Sequence, residues 1–228
     1  MDLKAHNRRI IACRKCPRLV DYRQRVAQEK RKAYSDWVYW GKPVPGFGDP
    51  KARIMAVGLA PGPHGSNRTG RMFTGDASGR FLFSALYRAG LASAPESFSR
   101  DDELALKGLY ITASCRCVPP DNKPSPDELS NCRPYLEYEL HLMDPKVIVC
   151  LGLIAFQGIV RIHALRPSAF KFAHGASFEV PKGDGRGNRW LLCTYHPSQQ
   201  NTFTGRLTPA MFDKIWLRAK MLGSLSGR

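Results

Sequence analysis

Residues 53–59 read RIMAVGL, and from Ile54 to Leu59 no position carries a polar side chain. A strand with one wet face alternates polar and apolar residues, so an unbroken run of this kind predicts a strand covered on both faces. Three further stretches have the same character: Leu109 to Ser114 (LYITAS), Lys146 to Leu151 (KVIVCL) and Trp190 to Tyr195 (WLLCTY). Helix-sized segments lie between them. Gly79 to Ala89 places Phe81, Leu82, Ala85, Leu86 and Ala89 at helical intervals. Ser125-Pro126-Asp127-Glu128 supplies an N-cap, a first-turn proline and a capping-box glutamate for a helix over Leu129 to Met143. The βαβα order predicts an α/β fold of three layers, α/β/α, around a central, mostly parallel four-stranded sheet. Residues 1–228 read as a single domain, and such sheets bind ligands beyond the carboxyl ends of their strands.

Outward from the sheet, Ile10 to Lys32 reads as a basic helical segment and Tyr34 to Asp49 as an aromatic, Gly- and Pro-rich excursion. Ser168 to Asn188 reads as a hairpin or loop, and Ser224 to Arg228 as a frayed tail. With 43% hydrophobic and 24% charged residues, the chain is neither disordered nor collagen-like. Its 35 Lys and Arg against 19 Asp and Glu leave a formal charge of +16, which a folded body displays towards a polyanion. The longest apolar run, Val147 to Phe156, is interrupted by Gly152 and falls short of the ~20 residues of a membrane helix. The amino terminus lacks the continuous apolar stretch of a secretory signal, so the expected compartment is the cytoplasm, on the nucleoid if the source is prokaryotic. Seven cysteines in a reducing compartment point to core thiols, metal ligands or redox groups rather than disulfides.

Cys13-Arg-Lys-Cys16 has a spacing that lets two thiolates reach one metal or cluster, and Cys117 (RCVPPDNKP) and Cys132 (SNCRPYL) are further candidates. Cys150 and Cys193 fall mid-strand as small apolar residues, while Cys115 either stands by inertly or competes with Cys117. An all-thiolate set suits zinc and an iron–sulfur cluster equally. Two strand ends carry other chemistry. The first runs into Gly58-Leu59-Ala60-Pro61-Gly62 and then RTGRMFTGDASGRFL, with the single carboxylate Asp76; the fourth runs into His196-Pro197-Ser198 and QQNTFTGRLT.

GLAPG, RMFTGDASG, CVPPDNKPSPDE with NCRPYL, and HPSQQNTFTGRLT, in this order from about Cys13 to Thr208, resemble the motifs of the iron–sulfur uracil-DNA glycosylases, and within them family 5. The related family 4 enzymes carry an acidic residue where Leu59 stands and a uracil-reading asparagine where Ala113 stands. The resemblance therefore implies family 5, which removes hypoxanthine and xanthine as well as uracil. It implies the glycosylase fold, a [4Fe–4S] cluster on Cys13, Cys16, Cys117 and Cys132, and Asp76, Asn122 and His196 as the polar groups of the reaction. Phe73 matches the base-stacking aromatic. Gly58, Ala60 and Ala113 fall in the base-binding segments, and Ser198 and Arg206 in a wedge and phosphate clamp over Pro197 to Arg206.

The expected partner is double-stranded and single-stranded DNA containing deaminated bases, bound by a monomer. Arg14, Lys15, Arg18, Arg68, Arg71 and Lys123 are expected to contact phosphates. Two alternatives stand beside this reading: a uracil-only glycosylase of the family 4 kind, and a non-catalytic zinc module that binds nucleic acid. A cysteine or serine hydrolase finds no nucleophile and base in the motif loops.

Overall fold

The structure is a computed structural model and describes residues 2–183, 185 and 187–224, so part of the expected tail, 225–228, lies outside the described residues. Six strands, β1 (Phe47–Gly48), β2 (Ile54–Gly58), β3 (Leu109–Ala113), β4 (Val147–Leu151), β5 (Ser177–Pro181) and β6 (Asn188–Thr194), form one sheet in the order β1-β3-β2-β4-β6-β5. The four expected strands are its parallel centre, with Gly58 opposite Ala113 and Cys150 opposite Cys193. Sequence reading stops at four because both antiparallel edges are short and partly wet: β1 has two residues, and β5 ends in a proline. Ser168 to Asn188 does contain one arm of the β5–β6 hairpin.

The helices are α1 (Leu3–Ile11), α2 (Pro17–Glu29), α3 (Ser66–Thr69), α4 (Ala77–Arg88), α5 (Pro126–Met143), α6 (Leu153–Ile162), α7 (Gln199–Phe203) and α8 (Pro209–Ser224). Each central strand splits its side chains between two cores. Ile54, Ala56, Val147 and Val149 pack with Leu82 and Leu86 of α4 and Phe212 and Trp216 of α8. Met55, Val57, Ile148 and Cys150 pack with Leu136 and Leu140 of α5 and Phe156 and Ile159 of α6. Period-two alternation into two apolar layers is why the runs look unbroken in the sequence. Each fully buried large side chain contributes about 1.5–3 kcal/mol of transfer free energy. Among the described residues no helix is long and apolar enough to cross a membrane.

The expected helix over Ile10 to Lys32 is two helices. Pro17 opens α2 as its first residue and leaves Cys16 extended, at φ −118° and ψ 94°, as proline disfavours helical backbone before it. The Cys13–Cys16 pair therefore sits in a break between helices rather than inside one. Beside it, Arg116 and Glu139 form a fully buried pair 2.6 Å apart, with Thr112 Oγ1 donating to the same carboxylate at 2.7 Å.

Candidate active site and thiol centre

Loops leaving the carboxyl ends of β2, β3 and β6 enclose a cavity of about 400 Å³ whose wall includes Leu59, Ala60, Gly62, Phe73, Asp76, Asn122, His196 and Ser198. Asp76 is the N-cap of α4, and its Oδ1 accepts the Gly79 N–H at 2.8 Å. The chain folds tightly round this carboxylate. A Cβ at Gly65 would stand 2.0 Å from Asp76 Oδ2, and one at Gly79 only 1.7 Å from the Phe73 carbonyl oxygen, so neither position admits a side chain. Burial raises the Asp76 pKa above the ordinary carboxylate value, while the Gly79 N–H and the charges of Arg80 and Arg68 pull it back.

Phe73 adopts φ 55°, and its N–H donates to Ser66 Oγ at 2.9 Å. Its ring lies over Gly58, where a Cβ would come within 2.9 Å of Cζ, and faces the His196 ring with centroids 5.9 Å apart and planes at 30°. It is 8% exposed, so it serves the apolar core and the cavity wall at once. His196 follows β6, and Asn201 Nδ2 donates to its carbonyl oxygen at 2.8 Å. Burial pushes its imidazole down to about 4. At neutral pH the ring is uncharged, with one nitrogen donating and the other accepting.

The third loop contributes Asp121 and Asn122, both exposed, with consecutive left-handed φ values of 53° and 55°. Asp and Asn tolerate that region better than other side chains, and strained backbone of this kind clusters at ligand sites. Asp121 also lines the cavity, as does Gln200. Asp121 is not among the residues that the sequence motifs single out, although two consecutive Asx residues after Pro119-Pro120 are the signal of such a turn.

The cavity thus unites Asp76, His196, Asn122, Phe73, Ala60 and Ser198. Gly58 acts one layer below, as the seat of the Phe73 ring. Ala113 does not reach the wall: it ends β3 beside Gly58, 1% exposed, within the apolar cluster. Arg206 is exposed beyond the cavity, with its guanidinium 4.5 Å from the Tyr195 ring centroid. The stretch around Ser198 is not an open loop but the short helix α7, whose Asn201 N–H donates to Ser198 Oγ at 3.4 Å. Two expected phosphate contacts are corrected. Arg71 is buried and pairs with Asp102, and Arg68 is buried between the Tyr34 and Trp37 rings, 3.9 and 4.1 Å from their centroids, donating to the carbonyls of His64 at 2.6 Å and Gly75 at 2.8 Å. Arg18 is spent in part on Glu128, at 2.7 Å.

Residues 45–220 match the sequence profile of the Uracil DNA glycosylase superfamily. The chain is 52% identical to the Type-5 uracil-DNA glycosylase of Thermus thermophilus over 99% of its own length and 100% of that protein. It is 49% identical to the Type-5 enzyme of Mycobacterium leprae, over 96% of this chain and 95% of the other. This chain belongs to the type-5 uracil-DNA glycosylases. Likeness to a Type-4 uracil-DNA glycosylase, that of Archaeoglobus fulgidus, is lower, at 32% identity over 84% of this chain and 79% of that one.

A second centre in this glycosylase-family fold gathers Cys13 and Cys16 from the α1–α2 break, Cys117 from the loop after β3 and Cys132 from α5 around one small cavity. Each sulfur has a hydrogen-bonding neighbour: Tyr135 at Cys13, Asn131 Nδ2 at Cys16 (3.5 Å), Arg23 Nη1 at Cys117 (3.0 Å) and Cys115 at Cys132. Cys115 is buried and does not line the cavity; its thiol, with its pKa pushed well above the usual range, keeps its proton. Cys150 and Cys193 are core residues, as expected.

Proposed function

We propose that the chain hydrolyses the N-glycosidic bond of uracil and of other deaminated bases, hypoxanthine and xanthine among them, in double-stranded and single-stranded DNA, leaving an abasic site. The observation that carries this reading is a cavity that joins a half-buried carboxylate, a neutral imidazole and a flat aromatic wall at the carboxyl edge of a type-5 glycosylase sheet. Water attacks C1′ as the carbon–nitrogen bond breaks. Asp76 orients that water, accepts its proton and offsets the positive charge developing on the sugar. The neutral His196 donates its one ring N–H to an oxygen of the departing base, and the pair of electrons from the broken bond stays on that base. Asn122 adds a side-chain amide from the third loop.

The target must leave the duplex stack to enter the cavity. Phe203, at the end of α7, is 78% exposed, which suits it to occupy the gap left behind. Breadth towards purines follows from the wall: Leu59, Ala60 and Phe73 offer shape and a stacking face in place of a base-specific pattern of hydrogen bonds. A cavity of about 400 Å³ falls within the ~300–1,000 Å³ of ordinary small-ligand sites.

We propose further that Cys13, Cys16, Cys117 and Cys132 hold a [4Fe–4S] cluster. What supports the reading is that the four cysteines of the motif pattern line one space and that Arg23, Asn131 and Tyr135 stand beside three of the sulfurs as donors to the negative charge of a thiolate-bound group. When bound, the cluster supplies a cross-link between the α1–α2 break, the loop after β3 and α5. A brown protein with iron bound, bleached and freed of iron by oxidation, supports this; a colourless zinc protein overturns it.

The activity is tested on duplexes carrying one uracil or one hypoxanthine, read as strand cleavage after alkali. Both are cut by the wild-type protein, and Asp76→Asn loses about 10²–10⁴-fold in kcat. Equal turnover by Asp76→Asn removes the carboxylate from the mechanism, and cleavage of the uracil duplex alone overturns the breadth.

A further inference from the structure

A larger concavity, of about 730 Å³, runs between α1, α2 and residues 39–42, apart from the cavity just described. Arg8, Arg14 and Lys42 present exposed cations along it, Gln24 and Gln28 present exposed amides, and among the described residues no carboxylate lines it. Five flexible donors without an acceptor of negative charge form a surface for an extended anion, not for a peptide of mixed charge. Its floor is rigid. Arg23 is 3% exposed there, bonded to Cys117 Sγ at 3.0 Å and to the Cys13 carbonyl oxygen at 3.5 Å, with its Nε left unpaired. Along one wall the face of Trp40 carries Lys42 Nζ 5.4 Å from its centroid.

The groove connects with the base-sized cavity through one loop. The Trp40 and Gly41 N–H groups donate to the carbonyls of Arg68 (2.9 Å) and Asn67 (3.1 Å), and Tyr39 Oη lies 3.1 Å from His64 Nδ1. The same loop, through Gly62 and Ser66, lines the cavity. We infer that the groove is a second DNA site, which takes the phosphodiester backbone of the substrate flanking the flipped nucleotide. The inference rests on DNA being the substrate. It joins Arg8 and Lys42, which lie outside the motif segments, to Arg14 in one phosphate-binding surface.

The test uses the full-length protein and a 30-base-pair duplex with one uracil, measuring KM, kcat and binding between low and moderate salt. Arg8→Gln, Arg14→Gln and Lys42→Gln together remove three phosphate contacts. The slope of log affinity against log salt should then fall by ~2–3, at ~0.9 per contact, with KM raised ~10-fold or more and kcat unchanged. A control triple, Lys51→Gln, Lys107→Gln and Lys214→Gln, loses the same charge at exposed positions outside the groove and should leave the slope nearly as it was. Gln24→Glu with Gln28→Glu, which removes no donor charge but adds repulsion, should weaken binding as well. Equal slopes for the two triples overturn the groove while the wild-type protein still releases uracil. Absence of base release from the wild-type protein is the separate failure of the glycosylase reading.

Discussion

The base-sized cavity and the thiol centre are joined by one loop, residues 114–125, yet the two are built in opposite ways. At the cavity end the backbone is strained, with Phe73, Asp121 and Asn122 all at positive φ, and Asp121 and Asn122 lie exposed. At the thiol end every sulfur has a hydrogen-bonding neighbour, and the adjoining Arg116 and Glu139 are sealed from water. Stability and chemistry are thus divided along a single connection. The braced end absorbs the cost of holding the working end in a conformation that it would not keep alone.

If that division is real, damage at the braced end should appear as lost stability and damage at the cavity as lost rate. The largest effect is expected at Glu139. Its carboxylate receives Arg116 at 2.6 Å, Thr112 at 2.7 Å and Tyr110 at 3.4 Å, all buried. Glu139→Ala leaves the Arg116 charge uncompensated and should cost about 3–5 kcal/mol of stability. The folded fraction should nonetheless retain kcat near wild type, measured as active-site-normalised turnover below the unfolding transition. A drop in kcat with Tm unchanged would dissolve the distinction between the two ends.

How much of this division the sequence displays differs between the ends. The four central strands are legible because two-sided burial leaves long apolar runs, and α5 because Ser125 and Glu128 write a capping box, which is present with both hydrogen bonds. Asp76 and His196 are legible because each stands in a motif segment directly beyond a central strand, and the Cys13–Cys16 pair because of its spacing, whereas the full set of four cysteines comes only from the resemblance to the family's motifs. The edge strands are not, since two to five partly wet residues carry no distinctive period. Nor is the fate of the arginines: a buried Arg68 between two rings and an exposed Arg14 look identical as letters. Ala113 shows the same limit: the motif resemblance puts it in a base-binding segment, yet it stands one layer behind the wall.

A second, smaller effect separates the ends by pH. His196 stays neutral in the folded protein down to about 4, whereas an unfolded chain protonates it near ~6.5. Its contribution to stability is therefore full above ~6.5 and declines as pH falls towards 4. Glu128, held below the usual carboxylate range by Arg18, adds acid sensitivity of the same sign at lower pH. The rate, in contrast, should show no inflection near 6.5. Its acid limb belongs to Asp76 and should lie above the ordinary carboxylate value, because burial raises that group. A limb near 6.5 in the profile of kcat/KM, abolished by His196→Gln, would mean that the imidazole titrates as an exposed one and that the cavity is wetter than its walls imply.

The smallest effect, and the most discriminating, concerns Arg68. It is a positioning residue: its guanidinium ties the carbonyls of His64 and Gly75 together, and a Cβ at Gly75 would stand 2.4 Å from its Nη2. Those two carbonyls flank the segment that carries Phe73 and lead directly into Asp76. Its charge also lowers the Asp76 pKa, against burial. Arg68→Gln should reduce kcat by about tenfold, equivalent to ~1.4 kcal/mol, and shift the acid limb to higher pH, because the carboxylate loses a favourable charge. Arg68→Lys keeps the charge but not the fork of two hydrogen bonds or the full stacking between Tyr34 and Trp37. It should lose rate while leaving the limb in place. A residue that merely filled space would lower Tm in both variants and move the limb in neither, so the pair of profiles, rather than either rate, decides whether Arg68 belongs to the working end or the braced one.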